Sequence, residues 1–193
     1  MTAELHQAFM ILLERRRYTR EFSPEPLPDH LLEWLRESTR PTPGAGGDPG
    51  LRCVFMTRKE DIVALTVRAE DAFSRFLNKV ESRFAREEVE KYAGSFSWLA
   101  KAPALAFFTV RRVPTFLEDC LGDIANTFFG ADAAAAMAVQ NLLLAAESLG
   151  LGACPVTGPL ACGAALEDFL HIDRQNHKLV CLVALGRKKQ EDW

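Results

Sequence analysis

Cysteine is sparse and unpatterned in this 193-residue chain. Cys53, Cys120, Cys154, Cys162 and Cys181 are odd in number and contain no Cys-x-x-Cys spacing. That argues against a zinc or iron–sulfur site and suits reduced thiols in a cytoplasm. Excess positive charge is also missing: the net charge is -3, whereas a nucleic-acid binder usually presents a basic face. The longest apolar run, 133–154, is interrupted by Gln140, Asn141 and Glu147, so it reads as a buried helix and not as a membrane span. Residues 1–16 are amphipathic and broken by Glu4, His6, Gln7 and Glu14, which excludes an export signal. The glycine-rich stretch 41–50 (PTPGAGGDPG) has no Gly-Lys-Ser/Thr after it and leads into a strand, so it fits neither a P-loop nor a dinucleotide fingerprint. No repeat or low-complexity segment occurs. With 48% hydrophobic and 25% charged residues, the composition is that of one globular domain spanning 1–193.

What the chain does have is a knot of guanidiniums. Arg15, Arg16, Arg17 and Arg20 fall within six residues in the stretch RRRYTREF. Cations packed this closely repel one another, which points to a bound anion. In extended chain Arg16, Tyr18 and Arg20 would project to one side. Guanidiniums grip phosphate through paired hydrogen bonds and stay charged at any working pH. The alternative is a solvated helix end, where cations suit the negative end of the dipole.

Leu5, Ala8, Phe9, Leu12 and Leu13 recur at helical spacing and predict a helix over 2–16. Three prolines on alternate positions make 23–28 an extended connector. Asp29 then caps a helix over 30–40, with Leu31, Leu32 and Leu35 inward and Trp34 at its flank. Stretch 41–50 reads as a loop passing close to a ligand or a neighbouring subunit. A short strand at 51–57 follows, and then a long polar helix over 60–92 with a break near Ser82. Residues 103–110 (PALAFFTV) form a continuous apolar run, which suits a strand buried on both faces. Stretch 115–129 is ambiguous: Asp119, Asp123, Phe128 and Phe129 line a pocket or merely a turn. The most hydrophobic helix covers 131–149, is rich in alanine for close approach, and stops at Gly150. CPVTG (154–158) reads as a tight turn after a short strand. A short helix at 164–170 and a second buried strand at 178–186 close the chain. The class is α+β or α/β, a central sheet covered by helices.

No catalytic constellation emerges. Cys154 or Cys162 with His171 as nucleophile and base, His171 and His177 as metal ligands, and Asp119 with Asp123 as paired carboxylates are all weaker readings than buried thiols and surface charges.

The order of these features resembles the nitroreductase-like, FMN-dependent oxidoreductase family. RRRYTREF with its proline-rich connector is similar to that family's Arg-Arg-Ser-x-Arg-x-Phe opening. The loop PTPGAGGDPG stands where the family has Ala-Pro-Ser-x-x-Asn-x-Gln-Pro. AAAAMAVQNLLLAAESLGLG resembles its central helix, CPVTG the turn after it, and LEDFLHIDRQNHKLVCLVALGRKK its closing strand. The resemblance implies an α+β, three-layer fold with a central, mostly antiparallel sheet flanked by helices. It also implies a homodimer with exchanged helices and FMN at the subunit interface. On it, Arg16 and Arg20 hold the phosphate and the pyrimidine edge, with Arg17 and Tyr18 nearby. Gly46 and Gly47 pass close to the flavin. Pro155, Val156, Thr157 and Gly158 approach N5 and O4, and Arg187, Lys188 or Lys189 adds a second phosphate charge. The implied activity is hydride transfer from NAD(P)H through the flavin to small electron-poor acceptors such as nitroaromatics or quinones. Reduced flavin is an anion at N1–C2=O, so a fixed cation there would stabilise it. Two departures from the pattern, Tyr18 in place of Ser and the lack of Asn and Gln in the loop, support an alternative. It is a family member that binds flavin or another anion without turnover.

Overall fold

The computed structural model describes residues 2–43, 50–93, 96–112, 119–120, 122 and 130–189. Gly46, Gly47, Asp123, Phe128 and Phe129, and with them most of the stretch 115–129, lie outside the described residues. So does the side chain of Cys162.

Four strands form one antiparallel sheet in the order β1-β2-β4-β3. They are β1 (Leu51–Met56), β2 (Ala104–Arg111), β3 (Leu151–Val156) and β4 (His177–Arg187). The helices are α1 (Ala3–Arg15), α2 (Asp29–Thr39), α3 (Lys59–Leu77), α4 (Arg83–Ala93), α5 (Ala131–Ser148) and α6 (Gly163–Phe169). The expected α+β, antiparallel, three-layer architecture is therefore present.

The apolar run of β2 explains the layering. Ala104, Ala106 and Phe108 join a core with α2 and α5 on one side of the sheet. Leu105 and Phe107 pack on the other side with α3 and α6. An apolar run without alternation can serve two cores at once, and burial of a side chain such as Phe108 contributes about 1.5–3 kcal/mol. On α5 the alanines Ala134, Ala135, Ala138 and Ala146 are buried and leave room for α2. Gly150, at φ 70, ends α5 in the left-handed conformation that glycine adopts without strain.

Three local expectations change. The N-cap of α2 is Pro28, and Asp29 is the first helical residue without a capping hydrogen bond; its charge there still suits the dipole. The break expected near Ser82 is present, since α3 ends at Leu77 and α4 starts at Arg83. Cys154, Pro155 and Val156 are not in a turn: they pair with Ala184, Val183 and Leu182 and extend β3. Proline is tolerated there because β3 is an edge strand, where one missing N–H leaves no ladder bond unmade. Finally, α1 forms as predicted but buries no residue. Leu5, Phe9, Met10, Ile11 and Leu13 are all exposed on it.

One irregularity has consequences for side-chain direction. The register between β2 and β4 shifts at Phe108/Thr109, with Val180 the extra residue on β4. A bulge flips the alternation beyond it. Cys181 belongs to the α2/α5 core and Leu179 to the α3/α6 core. Lys178 accordingly reaches Asp132 at the start of α5, at 2.8 Å.

Candidate functional site

The backbone after α1 brings the arginine stretch to the edge of the sheet. Arg16 leaves the helix with ψ 121, and Tyr18 then makes a parallel bridge with Ala153 on β3. The Thr19 N–H donates to the Ala153 carbonyl at 3.1 Å. Phe22 bridges Lys188, the Ser23 N–H donates to the Arg187 carbonyl at 3.0 Å, and the Lys189 N–H donates to Glu21 at 3.3 Å. Three stretches far apart in sequence thus meet: 16–23, 151–158 and 187–189. Gly152 makes the approach possible, since a Cβ there would lie 2.6 Å from Cγ2 of Thr19.

The neighbouring arginines have different fates. Arg16 lies over the Tyr18 ring, 4.9 Å from its centroid, and its Nη1 is buried without a hydrogen-bond partner. Arg17 folds back on its own helix, donating to the carbonyls of Glu14 and, at 3.0 Å, of Arg16; it serves the helix end. Arg20 stacks on Trp98 at 5.7 Å and lines the same concavity as Cys154. Among the described residues neither Arg16 nor Arg20 has a carboxylate partner.

Two concavities flank the end of β3. One of about 540 Å³ runs along α5 and includes Tyr18, Gln140, Pro155, Thr157 and Lys178. The other, about 300 Å³, holds Arg20, Lys91, Trp98, Cys154 and Gly158, and shares Pro155 and Thr157 with the first. Tyr18 and Arg20 therefore line different concavities, and Arg16 lies over Tyr18. The segment pairs with the sheet only at Tyr18 and Phe22, so the residues between are not held in strand alternation.

At the far end of β4, Arg187 pairs with Glu25 at 3.5 Å and Lys188 with Glu147 at 2.9 Å. The Glu147 carboxylate is buried, so Lys188 neutralises it. Lys189 has no carboxylate partner among the described residues. Val156 packs into the α3/α6 core and also lines the smaller concavity, together with Pro155, Thr157 and Gly158.

Burial disfavours the nucleophilic thiolate at Cys53, Cys154 and Cys181. Burial pushes Cys53 up to about 12 and Cys181 up to about 11. Cys154 is also raised by burial, opposed in part by the hydrogen bond and charge of Arg20. His171 lines a separate groove with Phe55 and Phe107, away from Cys154. Among the described residues no group of three or more His, Cys, Asp or Glu is placed to hold a metal, and no helix is long and apolar enough to cross a membrane. Sequence reasoning missed Trp98 and Lys91. Neither carries a local signal, because their approach to Arg20 depends on contacts some 70 residues apart.

The fold is shared with known proteins. It is similar to a BluB-like flavoprotein from Clostridium difficile at TM-score 0.79 and 17% identity, covering 94% of this chain and 90% of that one. A nitroreductase with bound FMN from Bacteroides fragilis matches at TM-score 0.73 and 19% identity, covering 96% and 90%. An NADPH:FMN oxidoreductase from Vibrio harveyi, complexed with NAD+, matches at TM-score 0.68 and 18% identity, covering 94% and 69%. No curated protein matches the sequence. The family model, however, matches residues 13–187, nearly the whole of what the structure describes after α1 begins, and the chain belongs to the Nitroreductase family.

Proposed function

We propose that this protein is an FMN-dependent oxidoreductase that takes hydride from NAD(P)H and delivers it to small electron-poor acceptors, nitroaromatics or quinones. The observation that carries this reading is Arg16: a guanidinium nitrogen buried beside Tyr18, with no hydrogen-bond partner among the described residues. A buried donor left unmade costs about 1–3 kcal/mol, so an anionic group is the natural complement. The residues fit FMN. Arg16 would hold the phosphate, with Lys189 the uncommitted second cation and Arg187 and Lys188 behind it. Arg20 would face the pyrimidine edge, and Pro155, Thr157 and Gly158 would border the ring. FMN, when bound, supplies the hydride chemistry; the chain's own part is to bind, orient and balance charge. No protein acid, base or nucleophile is required.

The reading is tested by titrating the apoprotein with FMN and with riboflavin. Micromolar or tighter binding of FMN, with riboflavin at least about tenfold weaker for want of the phosphate contacts, is expected. Equal affinity, or no binding of either, would overturn it. A second reading has one observation in its favour: Glu25 and Glu147 already engage Arg187 and Lys188, which weakens the phosphate end. It is a member that holds flavin or another anion without turnover, and it predicts binding without NAD(P)H oxidation.

We further infer a homodimer, acting as a single domain in the cytoplasm. Five large apolar residues exposed along α1, with Met137 on α5 beside them in character, form an unpartnered face suited to a second copy. Phe9→Asp should convert a dimer into a monomer, weakening association roughly 100-fold or more, since each copy loses a buried phenyl group. Light scattering reads this directly; a wild-type chain already monomeric at tens of micromolar would refute the dimer.

A further inference from the structure

Trp98 stands in the smaller concavity with no part in the phosphate site. It lies on the short turn Ser97–Lys101 that leads into β2 and is half-buried. Its ring rests against Phe22, with centroids 6.4 Å apart, and its other contact is the Arg20 guanidinium at 5.7 Å. Arg20 and Cys154 line the same concavity, where the guanidinium's charge favours the thiolate against burial.

This arrangement solves a particular problem. An exposed arginine has many rotamers and is disordered unless something holds it. The usual restraint, a carboxylate, would also cancel its charge, and among the described residues Arg20 has none. An aromatic face holds the side chain while leaving its charge intact. Phe22 comes from the same segment as Arg20, so the indole is braced by the chain it restrains.

We propose that Trp98 is a positioning residue for Arg20, fixing an uncompensated guanidinium in the cavity so that its charge acts on the electron-rich edge of a bound flavin. The proposal rests on the FMN reading above and adds to it a residue that the arginine motif does not contain. It makes Trp98 act through Arg20, so its effect must vanish when Arg20 is absent.

The test is a cycle of Trp98→Ala, Arg20→Ala and the double variant, with Trp98→Phe alongside, in the full chain reconstituted with FMN. Trp98→Ala should weaken the hold on reduced relative to oxidised flavin about two- to fivefold. That corresponds to a fall of about 10–20 mV in midpoint potential for a two-electron couple. Trp98→Phe should retain most of the potential, since phenyl also accepts a cation. The double variant should fall no further than Arg20→Ala alone. An equal effect of Trp98→Ala with and without Arg20, or no shift at all, would overturn the role. A purely structural loss would lower stability without moving the potential. A flavin-free readout separates the two claims: in the apoprotein the Arg20 side-chain protons should be shifted upfield by the indole ring current, and return to ordinary values in Trp98→Ala. Unshifted protons in the wild type overturn the positioning even if FMN binds. Shifted protons in a chain that binds no FMN show the hold on Arg20 intact and overturn the role toward flavin.

Discussion

Arg16→Ala is expected to weaken FMN binding about 100-fold while leaving the apoprotein as stable as before, or slightly more so. The two halves have one cause. In the absence of ligand, Nη1 of Arg16 is buried without a partner, a state that disfavours the folded chain by about 1–3 kcal/mol. Removing the side chain removes that penalty, offset by the loss of stacking on Tyr18. With FMN bound, the guanidinium gains charge-assisted hydrogen bonds of about 1.5–3 kcal/mol each to the phosphate. A residue that serves a ligand shows this opposition of stability and affinity; a residue that serves the fold does not. The preference for FMN over riboflavin should disappear with it, because riboflavin has no phosphate for Arg16 to hold. Thermal unfolding and flavin fluorescence titration measure the two halves. A variant that loses several degrees of stability and keeps its FMN affinity would show that Arg16 belongs to the fold.

Glu167→Ala should have the opposite signature: a large loss of stability, read by denaturant titration. Glu167 is a carboxylate on α6 with only 5% of its surface exposed. It accepts the Leu179 N–H at 2.9 Å and lies 3.6 Å from Arg112 and 3.4 Å from Arg174. Arg112 also donates through Nε to the His177 carbonyl at 3.1 Å. One side chain therefore ties α6, the start of β4 and the end of β2 together. Truncation orphans a buried strand N–H and removes the carboxylate that two guanidiniums share, leaving Arg112 its bond to the His177 carbonyl and Arg174 its pair with Asp168 at 3.3 Å. Breaking a buried pair in this way costs about 3–5 kcal/mol. The arginines are about half exposed, so solvent screens them and the lower end of that range applies. In a chain of this size that is roughly a 10 °C fall in melting temperature. Glu167→Gln keeps an acceptor for Leu179 and should lose only about half as much. A loss below about 1 kcal/mol for the alanine variant would mean that the cluster is a surface feature.

Much of the fold was legible because it is written locally. β2 runs apolar from Ala104 to Phe108 without alternation, and that alone called for a sheet covered on both sides. Helix α5 declared itself by length, alanine content and the glycine that ends it, and its boundaries differ from expectation by one residue. What could not be read depends on register. Pro155 looked like a turn residue, and only the edge position of β3 lets it extend the strand. The bulge at Val180 arises from pairing with β2, so the direction of Lys178 was invisible. In the candidate site, charge density alone pointed to an anion, but Arg15, Arg16, Arg17 and Arg20 are identical in type. Their separate environments come from Tyr18, a helix end, and Trp98, the last reached only through tertiary contact. The α1 face was read correctly as amphipathic, yet periodicity does not say whether its cover comes from the same chain.

The central claim is that the arginine stretch and the end of β3 form a flavin site that works with a nicotinamide donor. The most direct measurement is the visible absorbance of the FMN-loaded protein during anaerobic addition of NADH or NADPH. The account predicts that the flavin band bleaches on stoichiometric addition of at least one of the two and returns on adding a quinone. A band that neither nicotinamide diminishes, in protein shown to hold FMN, would contradict it.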